Sequence, residues 1–187
     1  MSKHQIERAR AHELIVPSLV ANAKMIEALN PHFIYRFECL DPSGRLKWVD
    51  EFVNVVTTVG KNYLLDAGFR GGSPVTTWYL LLIDNAGFSA VNAADTAASH
   101  AGWAESTAYS NGTRPAATWS AAASGQIAPS AASAFNINGA ATIKGAGVIS
   151  NNTKGGTTGT LYSAGAFAAN RGVDTGDTLN VSLTLAL

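Results

Sequence analysis

Residues 32–56, HFIYRFECLDPSGRLKWVDEFVNVV, decide the fold class. Phe33, Tyr35, Phe37 and Cys39 fall on one face of an alternating run, and Arg36 and Glu38 fall on the other. That period of two is the signature of a half-buried β-strand. The DPSG segment that follows carries its own turn chemistry. Pro42 pre-sets φ for the first central position, Asp41 can bond the turn backbone, and Gly44 suits a left-handed closing residue. The stretch therefore predicts a β-hairpin.

Working outward, TTVGKNYLLDAGF (57–69) predicts a short helix, with Thr57 or Thr58 as its cap and Gly68 at its stop. Beyond it, TWYLLLID, ATWSA, SAFNIN, ATIKGAGVIS, GTLYSAGAF and DTLNVSLTLAL predict strands separated by Gly- and Asn-rich turns. In the last of these, Leu179, Val181, Leu183 and Leu185 alternate with polar residues, so the C-terminal end is expected inside a sheet. Many short strands at such spacing imply a mainly β domain over residues 31–187, built as a β-sandwich or jelly roll with one short internal helix.

Toward the N-terminus the period returns to 3.6. Residues 3–15 are expected to be helical, and Leu19, Ala23, Ile26 and Leu29 then form one apolar stripe that Asn30-Pro31 ends. Residues 1–30 are therefore expected to form an N-terminal amphipathic helical arm. Its stripe suits equally a helix packed on the chain's own sheet and an arm that docks on a neighbouring molecule.

Composition narrows the function classes. The 187 residues suffice for one core, with or without an arm. Thirteen basic and thirteen acidic residues balance, so no strong field favours a nucleic acid or an anionic membrane surface. The polar start MSKHQIERARAHE lacks the apolar core of a signal peptide, and the longest apolar run, WYLLLI (78–83), is too short to span a bilayer. The expected site of synthesis is the cytoplasm. Of the charged residues, 18 lie within residues 1–90 and 8 within the remainder, where Ala, Gly, Ser, Thr and Asn dominate. Such a weakly charged surface makes best sense when a partner covers much of it.

Candidate chemistry is sparse. Cys39 is expected to be a small buried hydrophobe rather than a nucleophile. His4, His12, His32 and His100 lie in no metal-ligand spacing, no GxSxG elbow is present, and neither RGGSP nor KGGTTG continues into a phosphate loop. Asp50 and Glu51 are adjacent and point to opposite faces of a strand, while Asp174 and Asp177 flank a turn that their side chains are expected to bond. Asn111, Asn151 and Asn180 head glycosylation sequons that need a secretory route to matter. The expectation is a non-enzymatic protein with no metal and no cofactor.

Four stretches carry a resemblance: GWAESTAYSNGTRPAATW (102–119), FNINGAATIKGAGVIS (135–150), NNTKGGTTGTLYSAGAF (151–167) and VDTGDTLNVSLTLAL (173–187), with the hairpin and helix at 33–69 fitting alongside. They resemble tailed-bacteriophage virion structural proteins, most of all the decoration or cement proteins of capsids. The resemblance implies a sandwich or jelly-roll domain without an enzymatic site. It further implies dimers or trimers on the capsid surface that bind the major capsid protein and hold neighbouring subunits together. Trp103, Tyr109, Arg114 and Trp119 have the residue types of interface anchors, and Leu19 and Ile26 would present the arm. Either tryptophan could instead plug the domain's own core. A tail, neck or fibre-attachment component and a carbohydrate-binding module for host recognition are the alternatives.

Overall fold

The computed structural model describes residues 31–186. The N-terminal arm, with Leu19 and Ile26, lies outside the described residues. The predicted hairpin is present as β1 (His32–Leu40) and β2 (Leu46–Val53). Its turn uses the expected chemistry: the Asp41 carboxylate accepts from the backbone N–H groups of Ser43 (2.9 Å) and Arg45 (3.0 Å), and Gly44 has φ +80°. At Asn54 the chain leaves this sheet for the two-residue β3 (Val55–Val56) in a second sheet. Helix α1 (Thr58–Phe69) follows, capped by the Thr57 hydroxyl, which accepts from the Gly60 N–H. The helix runs through Gly68, the expected stop, and is capped at Arg70, whose N–H bonds the Asp66 carbonyl.

The remaining strands are β4 (Tyr79–Asp84), β5 (Glu105–Ser106), β6 (Thr118–Trp119), β7 (Gln126–Ile127), β8 (Pro129–Ala131), β9 (Ser133–Asn136), β10 (Ala141–Ile149), β11 (Leu161–Val173) and β12 (Thr178–Ala186). The fold is mainly β, with antiparallel pairing throughout. One sheet runs β2-β1-β12, with β9 and β7 sharing the far side of β12, and the other runs β3-β11-β10-β4-β5. Strands β6 and β8 form a separate pair.

The larger of two apolar core clusters draws on both sheets. From the first come Phe33, Tyr35, Phe37, Phe135, Leu179, Val181 and Leu183; from the second come Leu80, Leu82, Val148, Tyr162 and Phe167. Burying each such side chain stabilises the fold by about 1.5–3 kcal/mol. Between the sheets the Tyr35 hydroxyl meets Ser163 Oγ at 2.8 Å, and burial raises the phenol's pKa well above its ordinary value. Phe52 stacks on Tyr35 with centroids 4.8 Å apart and lies so close to Gly165 that an added Cβ there would come within 2.5 Å of its ring. The WYLLLI run is apolar on both faces for a visible reason. Leu80 and Leu82 enter this core, while Leu81 and Ile83 face a second cluster closed by Ala97 and Trp103 from the 85–104 loop.

Strand β12 pairs with β1 from Thr178 to Ala186 and with β9 and β7 on its other side, so the C-terminal strand is internal to its sheet. Deleting residues 182–187 removes five of the nine residue pairs of the β1 ladder and all of the β7 pairing. The expected result is loss of soluble folding; a soluble truncated chain with an unchanged circular dichroism spectrum would contradict it.

Candidate functional site

The 102–121 segment is a folded strap held from inside. The Trp103 indole is buried, donates to Asp95 Oδ2 at 2.9 Å and stacks on His100 at 4.0 Å. Tyr109 is fully buried edge-to-face against Phe135. Arg114 is buried too. Its guanidinium pairs with both oxygens of Glu105 (3.0 and 2.5 Å) and donates to the carbonyls of Asn151 (2.9 Å) and Gly156 (2.8 Å). Beside it, Lys154 Nζ donates to the carbonyls of Tyr109 and Asn111 and lies 4.5 Å from the Tyr109 ring centroid. Burial, reinforced by the Glu105 charge, raises the Tyr109 pKa.

These contacts tie the strap to the 150–160 loop. Trp103, Tyr109 and Arg114 are thereby placed in the chain's own interior, because a guanidinium or indole taken out of water needs partners, and here the partners are intramolecular. Trp119 differs. It is half-buried, stacks on Phe33 at 6.1 Å and donates through Nε1 to the Leu183 carbonyl at 3.0 Å. With Tyr63, Trp78, Tyr162 and Leu185 it lines an apolar cavity of about 290 Å³. The Tyr162 hydroxyl is buried with no partner among the described residues. A second, open and polar groove of about 600 Å³ lies along Asp84, Asn85, Ser106 and Thr142.

Sequence reasoning missed the exposed apolar residues. Leu46 (59 % exposed), Val49 and Val53 (60 %) lie on β2, Val55 on β3, and Leu65 and Phe69 (87 %) on α1. The signal was present: Val49 and Val53 alternate with Trp48 and Phe52, giving β2 apolar residues on both faces.

The acid and thiol groups are arranged structurally. Asp177 is buried, and its Oδ2 accepts from Lys47 Nζ (2.5 Å), the Asp174 N–H (2.8 Å) and Cys39 Sγ (3.6 Å). Burial alone would raise this carboxyl's pKa, but the bonds from Lys47 and the Asp174 amide outweigh it and hold it below the usual carboxylate range. The Cys39 thiol is pushed up to about 12 by burial and then by the Asp177 charge, which keeps it protonated at neutral pH. No group of three or more His, Cys, Asp or Glu among the described residues could hold a metal ion. No helix among the described residues is long and apolar enough to cross a membrane.

No protein-family model matches the chain, and no curated protein is significantly similar to it. Function is therefore argued from the surfaces and cavities themselves.

Arg114→Met leaves Glu105 buried without its cation and two carbonyls without a donor. The expected cost is about 3–5 kcal/mol in urea denaturation, and Glu105→Gln combined with Arg114→Met should recover part of it. Asp177, with its depressed pKa, contributes stability above the unfolded-state pKa of about 3.9 and loses it as pH falls through the folded value. Asp177→Asn should cost about 1.5–3 kcal/mol at pH 7, and the gap from the parent should narrow in denaturation series run below about pH 4.

Proposed function

We propose that this protein is a non-enzymatic virion structural protein of a tailed bacteriophage that binds the outer surface of the capsid and cements neighbouring capsid subunits. The observation that carries the reading is the exposure of large apolar side chains at Leu46, Val53, Leu65 and Phe69 on a chain whose other surface is mostly small and weakly charged. Exposed apolar residues beside few charges desolvate cheaply against a partner, and fixed partners are where such surfaces are used. The resemblance in residues 102–187 supplies the partner class: the major capsid protein, with the chain itself as a dimer or trimer.

In this reading the two sheets are the halves of a β-sandwich of jelly-roll type, supported by the shared core, and residues 1–30 are an arm that reaches an adjacent subunit. The surface anchors are Phe69, Leu65 and Trp119, while Trp103, Tyr109 and Arg114 hold the 102–121 strap in place from inside. A second reading, host-glycan binding, draws on the cavity beside Trp78 and Trp119, since aromatic faces stack on sugars. Its lining offers few hydrogen-bonding groups for a polyol, which favours the first reading.

Separating purified virions into heads and tails and quantifying the chain by mass spectrometry tests the proposal. Copy numbers near that of the major capsid protein, confined to heads, are expected; a few copies confined to tails would transfer the protein to a tail, neck or fibre-attachment role. On heads stripped of the protein, Phe69→Asp should rebind about tenfold more weakly with an unchanged melting temperature, because this side chain is 87 % exposed.

A further inference from the structure

The dipeptide Asn-Gly occurs twice in the chain, at Asn111-Gly112 and at Asn138-Gly139. It is chemically labile wherever it is free to move, because the glycine has no side chain to keep its amide nitrogen from the asparagine Cγ. The fold treats the two copies differently. Asn111 is held at both ends of its side-chain amide: Nδ2 donates to the Ala134 carbonyl at 3.1 Å, and Oδ1 accepts from the Asn136 N–H at 2.9 Å. Its backbone carbonyl accepts from Lys154 Nζ at 3.0 Å. Asn111 Cγ can turn to the Gly112 nitrogen only after both side-chain bonds are given up.

Asn138 carries none of these restraints. It is exposed in the connection between β9 and β10, and its side chain has no hydrogen-bond partner among the described residues. The Gly139 N–H is likewise unbonded among the described residues. A Cβ placed on Gly139 would meet nothing within 4 Å, so the space in which the two groups must meet is open. The chain is fixed on either side. The Ile137 N–H donates to the Asp177 carbonyl and the Ile137 carbonyl accepts from the Gly176 N–H, both at 2.9 Å, and β10 begins at Ala141 opposite Val173. A change at 138 is thus confined between anchored neighbours.

We propose that Asn138 is a site of spontaneous deamidation and that the fold protects Asn111, which has the same dipeptide. The Gly139 nitrogen attacks Asn138 Cγ and forms a new N–Cγ bond. The Cγ–Nδ2 bond breaks, and ammonia leaves with the proton that the glycine nitrogen gives up. Water then opens the resulting cyclic imide. Attack at Cγ breaks the new bond and yields aspartate. Attack at the Asn138 backbone carbonyl carbon breaks the original peptide bond and leaves the chain running through Cγ, as isoaspartate. The balance is one water taken up and one ammonia lost. Either product sets a carboxylate beside the polar groove that Asp84, Ala140 and Ala141 line, on a chain of zero formal charge. Converted copies therefore repel one another, and any acidic partner, more at this face than fresh copies do.

The reaction needs no partner, so it stands or falls separately from the cement reading. The test keeps the full-length chain in warm, mildly alkaline buffer, native and in urea, and follows the peptides that hold residues 111 and 138 by mass spectrometry over several days. In the native chain the Asn138 peptide is expected to gain one mass unit and to split into aspartate and isoaspartate forms, with a matching acidic band on isoelectric focusing. The Asn111 peptide is expected to stay unchanged. In urea, where the bonds to Ala134 and Asn136 are gone, both peptides are expected to convert. Gly139→Ala, whose Cβ has open space, should slow conversion at Asn138 about tenfold by restricting the backbone that must close the ring. A native Asn138 that stays intact over the time in which the denatured chain converts would overturn the proposal. So would a native Asn111 that converts as fast as Asn138, or a Gly139→Ala variant that converts at the parent rate.

Discussion

The structure depends on one ladder. Strand β1 begins the described domain and β12 ends it, and they pair without interruption from His32 opposite Ala186 to Leu40 opposite Thr178. Joining segments so far apart in sequence costs loop-closure entropy that no local contact returns, so the ladder forms only when the apolar faces it carries are buried together. Tyr35, Phe37, Leu179 and Val181 all belong to it. Strands β9 and β7 attach to the far side of β12, β2 attaches to β1, and Trp119 is tethered to the Leu183 carbonyl. The cation-carboxylate cluster of Lys47, Asp174 and Asp177 closes the end of the same ladder, with Cys39 beside it.

Opposite that ladder, the second sheet is built to be approached closely. Gly165 on β11 leaves room for the Phe52 ring of the first sheet, while Gly145 and Gly147 on β10 lie tight against the β11 backbone at Gly165 and Ser163. Large rings from one sheet over small residues of the other give dense packing without overlap. The outer face of this sheet is then covered by the 85–104 loop through Trp103 and Ala97. Covering both faces of β4 explains how an uncharged six-residue run sits in a weakly charged protein without exposing a patch.

The polar interior and the apolar exterior divide the work. Arg114 with Glu105, and Lys154 with the Tyr109 and Asn111 carbonyls, fix an irregular strap whose backbone has no long strand to bond with. The apolar residues left outside are on β2, β3 and α1, consecutive in sequence from 46 to 69.

The sequence by itself determined the class and most of the elements. Alternation in β1 and β12, the DPSG turn and the Thr57 cap all follow from local pattern, because each rests on residues within a few positions of one another. The tertiary structure decided the rest. Strand β11 runs on to Val173, well past the apolar GTLYSAGAF segment, because β10 pairs with it again from Arg171 to Val173 beyond an irregularity in the register. Whether Trp103, Tyr109 and Arg114 face inward or outward turned on Asp95, Glu105, Asn151 and Gly156, residues up to 42 positions away. Burial of a side chain is a property of what the rest of the chain brings to it, and a local pattern of aromatic and small residues is compatible with either outcome.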